Sequence, residues 1–173
     1  MCSSIIKFEG QSYIMNKLLS LLLLSVSLAA CNKDKFTTVP QISFNSLKPN
    51  TYQRGTPINA EGPKLSIQLK DAEGDFRFTS GKDTSYVYIK NLTIPPFNID
   101  SIPFPSASAL QRKDLDAEVV VDLKFGRGIL TGTPNPPRRP FVDTVYFEIF
   151  VRDIAKNKSN VIKTADPLFF ITP

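Results

Sequence analysis

The sequence predicts an all-β fold, an immunoglobulin-like β-sandwich of about seven strands, and three observations carry that prediction. Short runs in which apolar and polar residues alternate recur from residue 41 to the end of the 173-residue chain, the period that leaves one face of a strand buried and the other wet. Fourteen prolines punctuate the sequence, and proline is poorly tolerated inside helices and central strands. After residue 31 no stretch offers three turns of amphipathic helix. Short strands separated by turn residues over more than a hundred positions fit a two-layer sandwich, with a small barrel as the alternative. The chain has no tryptophan, and its two cysteines, Cys2 and Cys31, both precede the strands. The sandwich would therefore lack the disulfide and tryptophan of antibody domains.

The first element is not part of that domain. Asn16 and Lys17 precede an apolar-and-serine run from Leu18 to Ala30. It is shorter than the roughly 20 apolar residues that span a bilayer. It has the length, the preceding positive charge and the following small residues of a signal-peptide core. Its end, Leu28-Ala29-Ala30-Cys31, resembles the lipobox of bacterial lipoproteins. That resemblance implies acylation of the Cys31 thiol, cleavage before Cys31 and acylation of the new amino terminus. More than one acyl chain is what stable anchoring requires. Residues 1–30 are thus read as a signal-peptide region with Met15 as the expected true start, residues 31–40 as the lipidated cysteine and a polar tether, and residues 41–173 as the sandwich domain. The expected location is the outer membrane, lipid-anchored and facing the periplasm or the cell surface.

The strands follow in order. "QISFN" (41–45) is short and alternating. In "KLSIQLKD" (64–71), Leu65, Ile67 and Leu69 point one way and Ser66, Gln68 and Lys70 the other. In "TSYVYIKNL" (84–92), Val87 and Ile89 oppose Tyr86 and Tyr88. "IPPFNIDSIPFPSASAL" (94–110) carries too many prolines for a central strand and reads as a segment crossing an edge of the domain. "DAEVVVDLKF" (116–125) aligns Val119, Val121 and Leu123. "DTVYFEIFVRD" (143–153) is the strongest strand, with Val145, Phe147, Ile149 and Val151 on the core side and Tyr146, Glu148, Phe150 and Arg152 on the other. "DPLFFIT" (166–172) closes the chain.

Composition removes several function classes. Histidine is absent, and with it the commonest general base and metal ligand. No cysteine follows Cys31, so the mature domain has no thiol nucleophile or soft-metal ligand. The formal charge is +5, but the basic residues are scattered among acidic ones and form no face for nucleic acid.

The order of "DAEGD", "IPPF", "VVVDL", a proline-rich turn and "VYFEIFVRDIAKNKSNVI" resembles a group of small lipoproteins common in the Bacteroidota. Those proteins share a lipobox, an Ig-like domain, a D-x-D-G-D-like loop and a late D-x-A-G-N-K-S-N segment. The likeness covers most of the mature chain and brings no assigned activity with it. Two positions depart from the pattern. Glu73 stands where the loop usually has Asp, and Lys156 where the late segment usually has Gly.

One constellation carries chemistry. "DAEGD" sets Asp71, Glu73 and Asp75 at alternating positions around a glycine, the way calcium loops gather oxygen ligands, although the full EF-hand loop is not present. "DIAKNKSN" supplies Asp153, Asn157 and Asn160. In Ig strand order both loops fall at the same end of the sandwich. No cofactor is required by the sequence, and calcium is the one these residues would suit. The alternative is that they are ordinary turns, since Asp, Asn and Gly serve turns through side-chain hydrogen bonds and left-handed backbone. Lys156 and Lys158 beside the second loop disfavour tight cation binding.

Other features have plainer accounts. Asp114, Asp116, Glu118 and Asp122 lie in or beside one strand and read as a solvated face rather than as a hydrolytic pair, which needs two acids across a cleft. "GTPNPPRRPF" reads as a long hairpin loop, with a polyproline ligand as the alternative. Tyr86, Tyr88, Tyr146 and Phe150 lie opposite the core residues, where they either pack under loops or form a patch for a glycan or a protein. The sequence thus reads as a lipid-anchored extracytoplasmic binding or assembly module without catalytic activity. The alternative is a hydrolase or other carbohydrate-active domain working through carboxylates.

Overall fold

In the computed structural model the described residues are 36–77, 84–93, 95–97, 99–104, 112–126 and 128–173; Cys31 and the segment before it lie outside them. The alternating runs become ten strands: β1 (Gln41–Lys48), β2 (Thr51–Gln53), β3 (Lys64–Asp71), β4 (Tyr86–Asn91), β5 (Ile99–Pro103), β6 (Leu115–Asp122), β7 (Phe141–Val145), β8 (Phe147–Arg152), β9 (Ile162–Lys163) and β10 (Leu168–Thr172). A 3-10 turn, Leu123–Phe125, follows β6. Among the described residues no helix is long and apolar enough to cross a membrane.

The strands form three sheets, β1-β3-β6, β2-β10-β7 and β5-β4-β8-β9. The second and third run into one another. Only Tyr146 separates β7 from β8, and β10 and β9 return along them, with Leu168 opposite Val145 and Ile162 opposite Ile149. Between these pairs Thr164 bridges the gap: its N–H donates to the Phe147 carbonyl at 2.9 Å, and its hydroxyl accepts from the Phe147 N–H at 3.1 Å. The result is a sandwich, with β1-β3-β6 as one layer and β2-β10-β7/β8-β4-β5 as the other. All pairings are antiparallel except β2 with β10.

Ten strands rather than about seven arise from one interrupted strand and three short strands outside the predicted alternating runs. The run 143–153 is broken at Tyr146 into β7 and β8, the two-residue β9 lies before the run 166–172, and β2 continues β1 after the chain changes layer at Pro49, which has no N–H to give a ladder. The proline-rich stretch assigned to a crossing contains β5, a strand paired to β4 alone. An edge position is where proline is tolerated.

The side-chain alternation is as the sequence predicts. Leu65, Ile67, Leu69, Val119, Val121, Val87, Ile89, Val145, Phe147, Ile149 and Val151 belong to one buried cluster. On the outer face of the first layer, cross-strand pairs use the polar residues. Ser66 donates to Glu118, Gln68 donates to Asp116 at 2.5 Å, and Lys70 lies 3.6 Å from Asp116.

Candidate cation site and aromatic face

Asp71 is the last residue of β3, and the chain turns immediately after it. Gly74 has φ of +61° there, and a Cβ on it would lie 1.7 Å from the Arg112 carbonyl oxygen, so both backbone and space demand glycine. The turn is held by the Gly74 N–H, which donates to Asp71 Oδ2 at 2.6 Å. It gathers the carboxylates of Asp71, Glu73 and Asp75, each offering an oxygen within 4.8 Å of the others. Asp71 is fully buried, Asp75 half-buried and Glu73 exposed.

The second loop begins at Asp153, the residue after β8, which is also fully buried. The two loops meet, as strand order predicts. The Ile154 N–H donates to the Asp75 carbonyl and the Ala155 N–H to Asp75 Oδ2, both at 3.4 Å. Burial pushes the Asp71 carboxyl up to about 6, with the negative charges of Asp75, Asp153 and Glu73 adding and the Gly74 N–H opposing. Asp75 is raised as well, by burial first and then by Asp153. Asp71, Glu73, Asp75 and Asp153 therefore form one electrostatic group.

Asn157 takes a different place from the other four. Its N–H and its Nδ2 donate to the two Asp153 oxygens, each at 2.7 Å, so it positions Asp153. The remainder of the late segment is also structural. Asn160 exchanges two hydrogen bonds with the backbone of Ile42, pinning β1 across the layers. Ser159 accepts from the Val151 N–H. Lys156 has φ of 72°, a left-handed backbone conformation that glycine adopts at lower cost than lysine.

The aromatic residues line the outer face of β4 and β8. Tyr88 stacks on Phe150 with centroids 4.7 Å apart and planes 6° from parallel, and Tyr86 lies 6.3 Å from Tyr88. Lys158 Nζ sits 4.2 Å from the Phe150 centroid, the Arg152 guanidinium 5.5 Å from that of Tyr88, and Lys163 Nζ 4.5 Å from that of Tyr146. Of the four rings expected either to pack under neighbours or to form a patch, Phe150 is the one that is covered. It is 8% exposed, covered by Tyr88 and the two cations. Tyr86, Tyr88 and Tyr146 are half-buried.

Sequence reasoning missed a cleft of about 520 Å³ at the other end of β4, lined among others by Arg54, Asn91, Asp100, Leu130, Thr131 and Phe170. Arg54 reaches across it to the Gly132 and Thr133 carbonyls. These residues come from separate elements far apart in the chain, so no local pattern signals them. The acidic residues near β6 are engaged structurally: Asp116 and Glu118 in the cross-strand pairs above, and Asp122 as acceptor from the Lys124 N–H at 2.9 Å. Cys31, the residue that the sequence marks for lipidation, lies outside the described residues. Comparison with protein-family models, with curated proteins and with solved structures found no match.

Proposed function

We propose that this chain is a lipid-anchored, extracytoplasmic and non-catalytic binding module, and that its ligand surface is the aromatic face of β4 and β8. The carrying observation is the Tyr88–Phe150 stack flanked by Arg152 and Lys158. Half-buried tyrosines held rigidly on strands offer apolar area at low entropic cost. The flat C–H faces of a pyranose match such rings, and the surrounding cations favour a carboxylated or sulfated sugar. The ligand class is thus an acidic glycan of the cell envelope. The engagement of Asp116, Glu118 and Asp122 in strand pairing and capping supports the non-catalytic reading. The lipobox-like Leu28–Cys31 supports the anchor.

Immobilised acidic and neutral polysaccharides test the surface. The full chain should be retained on the acidic one, and Tyr88→Ala and Lys158→Ala should each weaken retention at least about tenfold, the loss expected for a central contact. No retention of the unaltered protein, or equal retention of both variants, contradicts the proposal; retention by a protein partner instead would replace the glycan. For the anchor, Cys31→Ala should move the protein from the membrane to the soluble fraction and end labelling by palmitate. Unchanged labelling would refute it.

A further inference from the structure

The buried carboxylates of the described residues differ in one respect. Both Asp153 oxygens accept from Asn157, and both Asp143 oxygens accept from Thr133. Asp71 is as buried as Asp153, yet only its Oδ2 is engaged, by the Gly74 N–H. Its Oδ1 is enclosed without a hydrogen-bond partner, and so is Oδ1 of Asp75. An ordinary aspartate turn uses one oxygen and leaves the other in water. Here the second oxygen is removed from water and set among three further carboxylates, an arrangement whose cost falls on the folded protein unless something positive fills it.

We propose that Asp71, Glu73, Asp75 and Asp153 bind one calcium ion that ties the β3–β4 loop to the β8–β9 loop. The two unpartnered oxygens are the inner ligands. Glu73 is exposed at the mouth, and Asp153 is held in place by Asn157 with lone pairs to spare. A shallow opening lined by Glu73, Asp75 and Ile154 leads to the site. All the donors are hard oxygens of an irregular loop, which suits calcium, with its flexible coordination, better than magnesium, with its tight octahedron. Arg77, Arg112 and Lys113 line the same opening and lower the affinity. The site therefore belongs with the weak extracellular class, with a dissociation constant of roughly 10⁻⁴–10⁻³ M. It stands independently of the glycan surface, so either can fail without the other.

The test is thermal unfolding of the full chain in chelator, in 5 mM calcium and in 5 mM magnesium, with calorimetric titration of calcium alongside. At five times the dissociation constant, selective binding to the folded state should raise Tm by roughly 3–5 °C, with a single-site isotherm. Asp75→Asn keeps the acceptor for the Ala155 N–H, so it should fold. In chelator it should melt no lower than the unaltered protein, and in calcium it should gain nothing. Glu73→Gln, at an exposed position, should weaken the calcium response even if Asp75→Asn does not fold. Identical melting of the unaltered protein in chelator and calcium overturns the site, as does an undiminished response in both variants. An equal gain in magnesium overturns the assignment to calcium.

Discussion

Replacing Asp71 with asparagine should stabilise the calcium-free protein at pH 7, the reverse of what a buried hydrogen-bonded residue normally predicts. The asparagine oxygen can still accept from the Gly74 N–H, while the amide nitrogen takes the place of an oxygen that has no partner. The magnitude follows from the acid's own equilibrium. Burial and three like charges raise the Asp71 carboxyl from 3.8 to about 6, and two pKa units correspond to about 2.7 kcal/mol. An acid with a raised folded pKa holds its proton more tightly when folded. Its contribution is fully present below about pH 3.8 and is lost as pH rises through about 6. Water at the exposed Glu73 and half-buried Asp75 screens part of this, so Asp71→Asn should gain on the order of 1–2 kcal/mol over the unaltered protein above pH 7 in chelator, and the difference should shrink as pH falls toward 4. Urea unfolding at a series of pH values measures it. A variant less stable than the original at pH 7, or a difference that does not change with pH, would refute the reasoning.

Two other substitutions probe the frame that holds the loops. Phe147 is fully buried at the centre of the interrupted strand, so Phe147→Ala should cost about 3–5 kcal/mol in urea unfolding, whereas a cost below about 1 kcal/mol would mean that the ring is not enclosed. Lys156 sits at φ of 72°, a conformation costing an L-residue roughly 1–2 kcal/mol. Lys156→Gly should gain about 0.5–1 kcal/mol after the added flexibility of the unfolded chain is offset, as read from the same denaturation curves.

The core-facing half of the alternation in β3, β6 and β7/β8 was legible because each strand faces one core and one outer side. Leu65, Ile67 and Leu69 could not have been exposed without turning Ser66, Gln68 and Lys70 inward. The breaks were not legible. Nothing in "VYF" announces that Tyr146 falls between two sheets, since the cause is the tertiary pairing of Phe147 with Thr164. Phe150 reads as an outward residue, and so it is by register; it is buried because Lys158 and Arg152 fold over it, and long flexible cations leave no periodic signal. At the candidate cation site, strand order brought the two loops together correctly. The separate duties of Asn157 and Asp153 needed hydrogen-bond geometry, because Asp and Asn are interchangeable as turn residues in sequence. The cleft beneath Arg54 draws on elements scattered along the chain, the case in which a linear reading has least to work with.

The claim at the centre of this account is that two loops distant in sequence form one calcium site. Residue-resolved amide hydrogen exchange, in chelator and in millimolar calcium, tests it most directly. Calcium should slow exchange at Gly74 and Asp75 in the first loop and at Ala155 and Asn157 in the second, together and with the same midpoint, because opening either loop would release the ion. Slowing confined to one loop, or unchanged exchange in both, would contradict it.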